Sequence, residues 1–325
     1  MKFVVLGAGA IGAYVGAALA RGGADVTLIA RGAQLEALRT HGVRVLSPRG
    51  NFEAAPPATD DLGAIADADV VFLGLKAYHL PEIASDLGAV LRPDAAVIAA
   101  QNGIPWWYFQ SHGGPLDGIS LESVDPGGVM AKAIGPDRVV GCVVYSSTEL
   151  VEPGVVRHIE GTRFSLGEPD RSKSGRCVAI SAAFQAGGLK APVEQDLRDE
   201  IWLKLLGNAT FNPVSALTRA TLGGLAAVPE MRAMLAAAFE EIAAVAHALG
   251  IEFKVSLERR LEAGFAVGDH KTSMLQDLEH GKPLEHRCMT GAVIELAGLL
   301  ELGVPRIEVL HACVELVDRL RRPLT

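Results

Sequence analysis

Cysteine is scarce in this chain, and its placement excludes more than its number does. The four cysteines, Cys142, Cys177, Cys288 and Cys313, are far apart and form no C-x-x-C pair. They read as reduced, mostly buried thiols of a cytoplasmic protein rather than a disulfide framework. The nine histidines likewise show no ligand spacing, so no metal site is expected. An excess of positive charge is also missing: 38 acidic against 30 basic residues give a formal charge of -8. That excludes a general attraction to nucleic acid or to an anionic membrane, while leaving room for a local basic site for a small anion. Aromatic residues make up 5%, much of the 49% hydrophobic content is Ala, and 36 residues are Gly, which suits closely packed helices and tight turns.

Membrane and export signals fail on inspection. The Ala-rich stretch Met231 to Gly250 carries Arg232, Glu240 and Glu241, which marks a core helix rather than a membrane span. Lys2, the apolar run Phe3 to Ala20 and the terminal Ala18-Leu19-Ala20 imitate a signal peptide, but the glycines of the run fall where a nucleotide-binding turn needs them. At 325 residues the chain exceeds the usual size of one core, so two domains are expected. No sequence repeat or low-complexity linker is evident.

What is present begins with Phe3-Val4-Val5-Leu6, a continuously apolar strand of the kind buried on both faces of a parallel sheet. Gly7-Ala8-Gly9-Ala10-Ile11-Gly12 follows as G-x-G-x-x-G and opens an Ala-rich helix, with Gly16 one turn later. Gly7 permits a sharp turn, Gly9 lets backbone amides approach a pyrophosphate, and the helix N-terminus faces that anion. A second strand, Asp25 to Ala30, completes the context that a lone glycine motif lacks. An NAD site expects Asp or Glu after that strand, whereas the chain has Ala30-Arg31. A guanidinium there can pair with a 2'-phosphate, so NADP is favoured over NAD, the alternative being a plain surface arginine.

Further strands are expected at Val43 to Leu46, Ala68 to Leu75, Ala95 to Ala100, Val139 to Thr148, Val155 to Ile159 and Arg163 to Leu166. Lys76 and Asn102 arrive just after two of them, at the edge where open parallel sheets bind ligands. For Asn102-Gly103, a turn is the competing explanation. Ser111 to Gly128 is rich in Gly, Pro and Ser and reads as a mobile connection. Beyond Glu194 helical periods replace strands, at Asp196 to Phe211, Pro229 to Leu249, Val255 to Phe265, Leu284 to Leu302 and Val309 to Leu320. The expected organisation is therefore an α/β Rossmann-type dinucleotide-binding domain over 1–194 and an all-helical substrate and catalytic domain over 195–325.

The second domain opens with its most unusual stretch, IWLKLLGNATFNP from Ile201 to Pro213. Lys204, Asn208 and Asn212 recur every four residues, which on one continuous helix makes a polar stripe among apolar neighbours. Such a stripe reads as the lining of a cleft; the plainer reading is a solvated Lys and two Asn near a helix end. A lysine ammonium can stabilise and then protonate the oxygen of a carbonyl undergoing reduction, and amides can orient it or bind polar substrate groups. Thr272-Ser273-Met274-Leu275-Gln276-Asp277 and Glu285 form a second cluster, for which helix capping and a first-turn carboxylate are the structural alternatives.

Taken in order, Gly7-x-Gly9-x-x-Gly12, Arg31, Lys76-Ala77, Gln101-Asn102-Gly103, Trp202-x-Lys204-x-x-x-Asn208-x-x-x-Asn212-Pro213, Ser273-Met274-x-x-Asp277 and Glu285-x5-Gly291 resemble the ketopantoate reductase family over nearly the whole chain. The resemblance implies a Rossmann domain, a helical domain and an active site in the cleft between them. It implies reduction of the 2-oxo acid 2-dehydropantoate to (R)-pantoate by NADPH, a step toward pantothenate and coenzyme A. By position it makes Lys204 the catalytic lysine and Glu285 the cleft glutamate, near cofactor and substrate. Asn102, Asn208, Asn212 and Ser273 match substrate contacts, and Asn102 also the cofactor edge. Gly7, Gly9, Ala10, Ile11 and Gly12 match the pyrophosphate turn, Arg31 and Lys76 the surroundings of the 2'-phosphate, and Thr148 a small residue near the nicotinamide. A homodimer is one assembly consistent with it.

The chain also departs from the family pattern. Leu222 stands where a further Asn is frequent, His79 where Gln is frequent, and His286-Arg287 where an apolar-acidic pair is usual. A related reductase of another 2-oxo acid or carbonyl compound is thus the first alternative. A non-catalytic NADPH-binding sensor is the second, since fold does not fix function.

Overall fold

Phe3, Val4 and Val5 are fully buried, as a strand covered on both faces must be. The computed structural model describes residues 1–321, and these form two compact units. The first holds most of the chain up to Leu197. The second holds Arg198 onward together with the short segments Asn102–Pro105 and Leu121–Val124.

In the first unit the chain runs β1 (Lys2–Leu6), α1 (Ala10–Arg21), β2 (Asp25–Ile29), α2 (Gly32–His41), β3 (Val43–Leu46), β4 (Phe52–Ala54) and β5 (Ala58–Thr59). It continues through β6 (Val70–Leu73), α3 (Leu80–Val90), β7 (Ala96–Ala99), α4 (Val129–Ile134), β8 (Val139–Glu152), β9 (Val155–Gly167) and α5 (Gly175–Ala186). The strands form one nine-stranded sheet in the order β4-β3-β9-β8-β7-β6-β1-β2-β5. Parallel pairing dominates; β8 with β9 and β3 with β4 are the antiparallel pairs. The sequence order reverses about β1, which pairs with β2 on one side and β6 on the other, creating the crevice where such sheets bind ligands. Helix α1 packs beside it through small residues: a Cβ on Gly16 would lie 2.4 Å from Leu28 Cδ2.

Two strands expected at Val155 to Ile159 and Arg163 to Leu166 are one, β9. Gly161 carries it through at φ +70, where an added Cβ would meet the Tyr145 carbonyl at 1.9 Å. Opposite, the pairing register slips at Tyr145/Ser147 and Ser147/Thr148, a bulge that re-aims the side chains of that part of β8. The connecting region 111–128 contains no strand or α-helix, only turns and a 3₁₀ turn at Pro126–Gly128.

The second unit is helical, with α6 (Leu197–Asn208), α7 (Phe211–Thr218), α8 (Leu222–Ala226), α9 (Pro229–Ala248), α10 (Leu257–Phe265), α11 (Ser273–Glu279), α12 (Ala292–Leu299) and α13 (Pro305–Arg321). A π-helical turn at Arg287–Gly291 leads into α12, so the single helix expected over Leu284 to Leu302 starts later and wider. The last helix starts earlier than expected because Pro305 fits its first turn. Glu241 of α9 fixes that start by accepting bonds from the Arg306 and Ile307 amides. Among the described residues no helix is long and apolar enough to cross a membrane. Cys142, Cys177 and Cys288 are buried, whereas Cys313 is exposed on α13.

Candidate functional site

The glycine turn between β1 and α1 is built by contacts that only glycine allows. Gly7 sits at φ +96. An added Cβ on Gly12 would lie 2.1 Å from the Gly7 carbonyl oxygen, and one on Gly74 2.5 Å from the same atom. Gly9 is different: a Cβ there would meet nothing within 4 Å. The turn is thus packed from behind and open at Gly9, which fits an anionic group resting on the amides at the start of α1. Ala10 and Ile11 form the first turn of that helix. Gln34, which carries no motif, braces this loop: its amide donates to the Ala8 carbonyl at 2.7 Å and its oxygen accepts from the Gly154 amide at 2.9 Å.

Arg31 follows β2 and is the exposed N-cap residue of α2. Lys76 follows β6 and is half-buried at the head of a 3₁₀ turn. Gln101, at the end of β7, donates to the carbonyls of Leu73 (2.9 Å) and Leu75 (3.2 Å), tying the ends of two strands together. Among the described residues its Oε1 is buried without a hydrogen-bond partner, and so is Oγ1 of Thr148 beside the β8 bulge. Orphaned buried acceptors are what a polar ligand would satisfy. Gln34 carries no sequence signal, and Gln101 figures only in the Gln101-Asn102-Gly103 motif with no role of its own, because a bracing amide leaves no spacing signature.

In the second unit, Lys204 Nζ donates to Asn102 Oδ1 at 2.7 Å, joining residues 102 apart in sequence. Both side chains are half-buried. Asn102 is held in place by its neighbours: Gly103 adopts φ +81 so closely against Cys288 that a Cβ would lie 2.1 Å from the Cys288 carbonyl. The Ile104 amide donates to that same carbonyl at 2.8 Å.

The polar stripe is not on one continuous helix. Helix α6 ends at Asn208, Thr210 takes φ -120 and ψ -64, and α7 begins at Phe211. Thr210 Oγ1 donates back to the Leu206 carbonyl at 2.6 Å, and Pro213 lies in the first turn of α7, where its missing N–H costs nothing. The break separates the amides. Asn208 is half-buried at the end of α6, while Asn212 is buried in α7 with Nδ2 4.0 Å from Met289 Sδ. Glu285 is 7% exposed and lies just before the π turn that carries Met289. Ser273 is exposed as the first residue of α11, and the cap of that helix is Thr272, which accepts from the Leu275 amide. Leu222 is buried at the start of α8.

A nine-stranded, largely parallel sheet with a glycine turn at its reversal point, followed by a helical unit presenting a lysine on an asparagine oxygen, defines the Rossmann-type oxidoreductase class. Residues 3–107 match the family model "Ketopantoate reductase PanE/ApbA" and residues 196–318 match "Ketopantoate reductase PanE/ApbA C terminal". The chain belongs to the ketopantoate reductase family. It is 44% identical over 319 residues to 2-dehydropantoate 2-reductase of Mesorhizobium japonicum, covering 97% of each chain. It is 30% identical over 322 residues to the enzyme of that name from Halobacterium salinarum, covering 98% of this chain and 99% of the relative. Among solved structures, the PanE/ApbA family ketopantoate reductase of Ralstonia eutropha JMP134 superimposes with a TM-score of 0.85 at 27% identity, covering 99% of both chains.

Proposed function

We propose that this protein reduces 2-dehydropantoate to (R)-pantoate with NADPH, in pantothenate and coenzyme A synthesis. The observation that carries the reading is the Lys204 to Asn102 bond at 2.7 Å, set in a chain 44% identical to a 2-dehydropantoate 2-reductase. The reduced nicotinamide, when bound, supplies a hydride equivalent to the substrate's carbonyl carbon. Lys204 stabilises the negative charge that develops on the carbonyl oxygen and gives that oxygen its proton. Asn102 accepts one of the three ammonium hydrogens and so fixes the direction of the other two. Asn208, Asn212 and Ser273 bind the substrate's carboxylate and hydroxyl, and Glu285 holds the hydroxyl, the nicotinamide ribose or Lys204 itself. In the first unit, Gly7, Gly9, Ala10, Ile11 and Gly12 receive the pyrophosphate, and Arg31 with Lys76 the 2'-phosphate. The open face of Gly9 and the unpartnered Thr148 Oγ1 support a bound dinucleotide.

A second reading, reduction of another 2-oxo acid, is favoured by one feature: buried Leu222 stands where the family pattern frequently has an amide. The test is loss of NADPH absorbance with ketopantoate, run beside NADH and a panel of 2-oxo acids. NADPH-selective turnover of ketopantoate, abolished in Lys204→Ala with NADPH affinity kept, supports the first reading. Turnover of a different panel member alone selects the second. Tight NADPH binding with no reduction of any carbonyl would leave a sensor. Arg31→Ala should weaken NADPH far more than NADH, and equal loss for both would refute the assignment of the 2'-phosphate.

A further inference from the structure

His286 and Arg287 depart from the family pattern, and the proposed reaction uses neither. His286 is fully enclosed in the second unit, just before the π turn, and its ring faces His311 of α13 with centroids 5.2 Å apart. Glu315 lies one turn beyond His311 on the same face of α13. Each of the three residues offers one donor atom, and the three donors lie within 4.8 Å of one another.

Hydrogen counting shows which atoms are lone pairs. The Thr290 hydroxyl has one hydrogen and donates it to the His286 carbonyl at 3.0 Å. Its contact with His311 Nδ1 at 2.8 Å must therefore be donated by the ring, which puts the hydrogen on Nδ1 and leaves Nε2 as the lone pair. His286 Nδ1 faces the Leu284 carbonyl at 3.1 Å, so it too carries a hydrogen. Its Nε2 lies 2.5 Å from Glu315 Oε2. A contact that short needs a positive centre, either a second ring proton donated from Nε2 to the carboxylate or a cation beside the two atoms.

The other carboxylate oxygen is already committed. Oε1 accepts from Arg319 Nε at 2.7 Å and lies 3.6 Å from an Arg287 nitrogen, so the arginines fix the carboxylate and leave Oε2 to the imidazoles. Ligating histidines as a rule donate their second N–H to a carbonyl, carboxylate or other polar acceptor, as both do here. Two imidazole nitrogens and one carboxylate oxygen form a donor set suited to first-row divalent cations, with a position left for water.

We propose that His286, His311 and Glu315 bind one divalent cation of the zinc class, pinning the π turn that follows Glu285 to α13. Zinc bonds of 2.0–2.1 Å place tetrahedral ligands roughly 3.4 Å apart, so binding draws the widest donor pair together and opens the His286 to Glu315 contact. The competing centre is a single proton shared between His286 and Glu315.

The test uses full-length protein freed of metal with chelator, titrated with cobalt(II) chloride and then zinc chloride. The expected result is a visible d–d absorption saturating at one cobalt per chain, abolished by equimolar zinc, with zinc raising the melting temperature. His311→Gln should weaken zinc at least about tenfold and remove the thermal shift, as should Glu315→Gln. In the unmodified protein, the ring proton resonances of two histidines should move together with zinc and saturate at the same ratio, which tests the site even if a variant fails to fold. No one-to-one site in the unmodified protein, or one whose affinity both folded variants leave unchanged, would overturn the proposal in favour of the shared proton.

Discussion

Replacing Asn102 by Ala removes an acceptor that the Lys204 ammonium holds at 2.7 Å. A hydrogen bond to a charged group contributes about 1.5–3 kcal/mol, so if Asn102 acts by aiming Lys204, the loss should be about 10- to 150-fold in the reductive step. Lys204→Ala removes charge stabilisation and proton donor together and should cost more, about 10²–10⁴-fold from the proton alone. The two effects share one mechanism, so the double variant should be no slower than Lys204→Ala within a factor of about two. The assay is single-turnover NADPH oxidation on variants that keep the parent melting temperature, completed as a double-mutant cycle. Multiplying losses would show that Asn102 acts on the substrate independently of Lys204. An unchanged Asn102→Ala would show that the bond aims nothing.

Gly9→Ala and Gly12→Ala should fail differently. The first meets open space and should keep the melting temperature while weakening NADPH in a fluorescence titration; the second places a Cβ 2.1 Å from a backbone oxygen and should lower the melting temperature as well. Thr148→Val removes a buried hydroxyl that has no hydrogen-bond partner among the described residues. Melting should be unchanged or rise by up to ~1 kcal/mol of stability, while NADPH affinity falls several-fold; unaltered affinity would remove Thr148 from the cofactor site. Ellman's reagent should find one fast thiol, Cys313, in the native protein, and Cys313→Ser should abolish that phase. Burial pushes the Cys177 thiol up to about 12 from 9.0, with Glu168 adding to the rise and Arg176 opposing it. The folded state therefore favours the neutral thiol, and its contribution, full below about pH 9, should be lost as pH rises toward 12. Cys177→Ala should flatten that alkaline limb in denaturant melts.

The parallel core was legible because its signals are local: fully apolar strands, a glycine turn, and glycine or proline between elements. Gly154 turns at φ +81 between β8 and β9. Short edge strands escaped. Phe52–Ala54 and Ala58–Thr59 run for three and two residues and owe their existence to partners β3 and β2, which no window of sequence contains. The β8 bulge was equally hidden, since a register slip belongs to two strands at once.

At the candidate site, residue types were legible and their geometry was not. A four-residue spacing assumes an unbroken helix; Pro213 is the local sign against one, since it lacks an N–H and disfavours a helical residue before it. Where the break falls follows from tertiary packing. Gly207 lies so close to Arg260 that a Cβ would meet its guanidinium at 2.9 Å, and a Cβ on Gly264 would strike the Phe211 ring at 2.4 Å. Phe211 is thereby seated against α10 and in edge contact with Phe239 and Phe265, which fixes where α7 must start. A Lys on α6 and a buried amide on α7 then answer to different supports, Arg260 bonding the Leu203 carbonyl at 3.1 Å for the first and the Phe211 cluster for the second. Enlarging Gly264 should accordingly disturb Asn212 before it disturbs Lys204. In Gly264→Ala, KM for the 2-oxo acid should rise more than kcat falls, and the reverse ratio would mean that the two helices move as one.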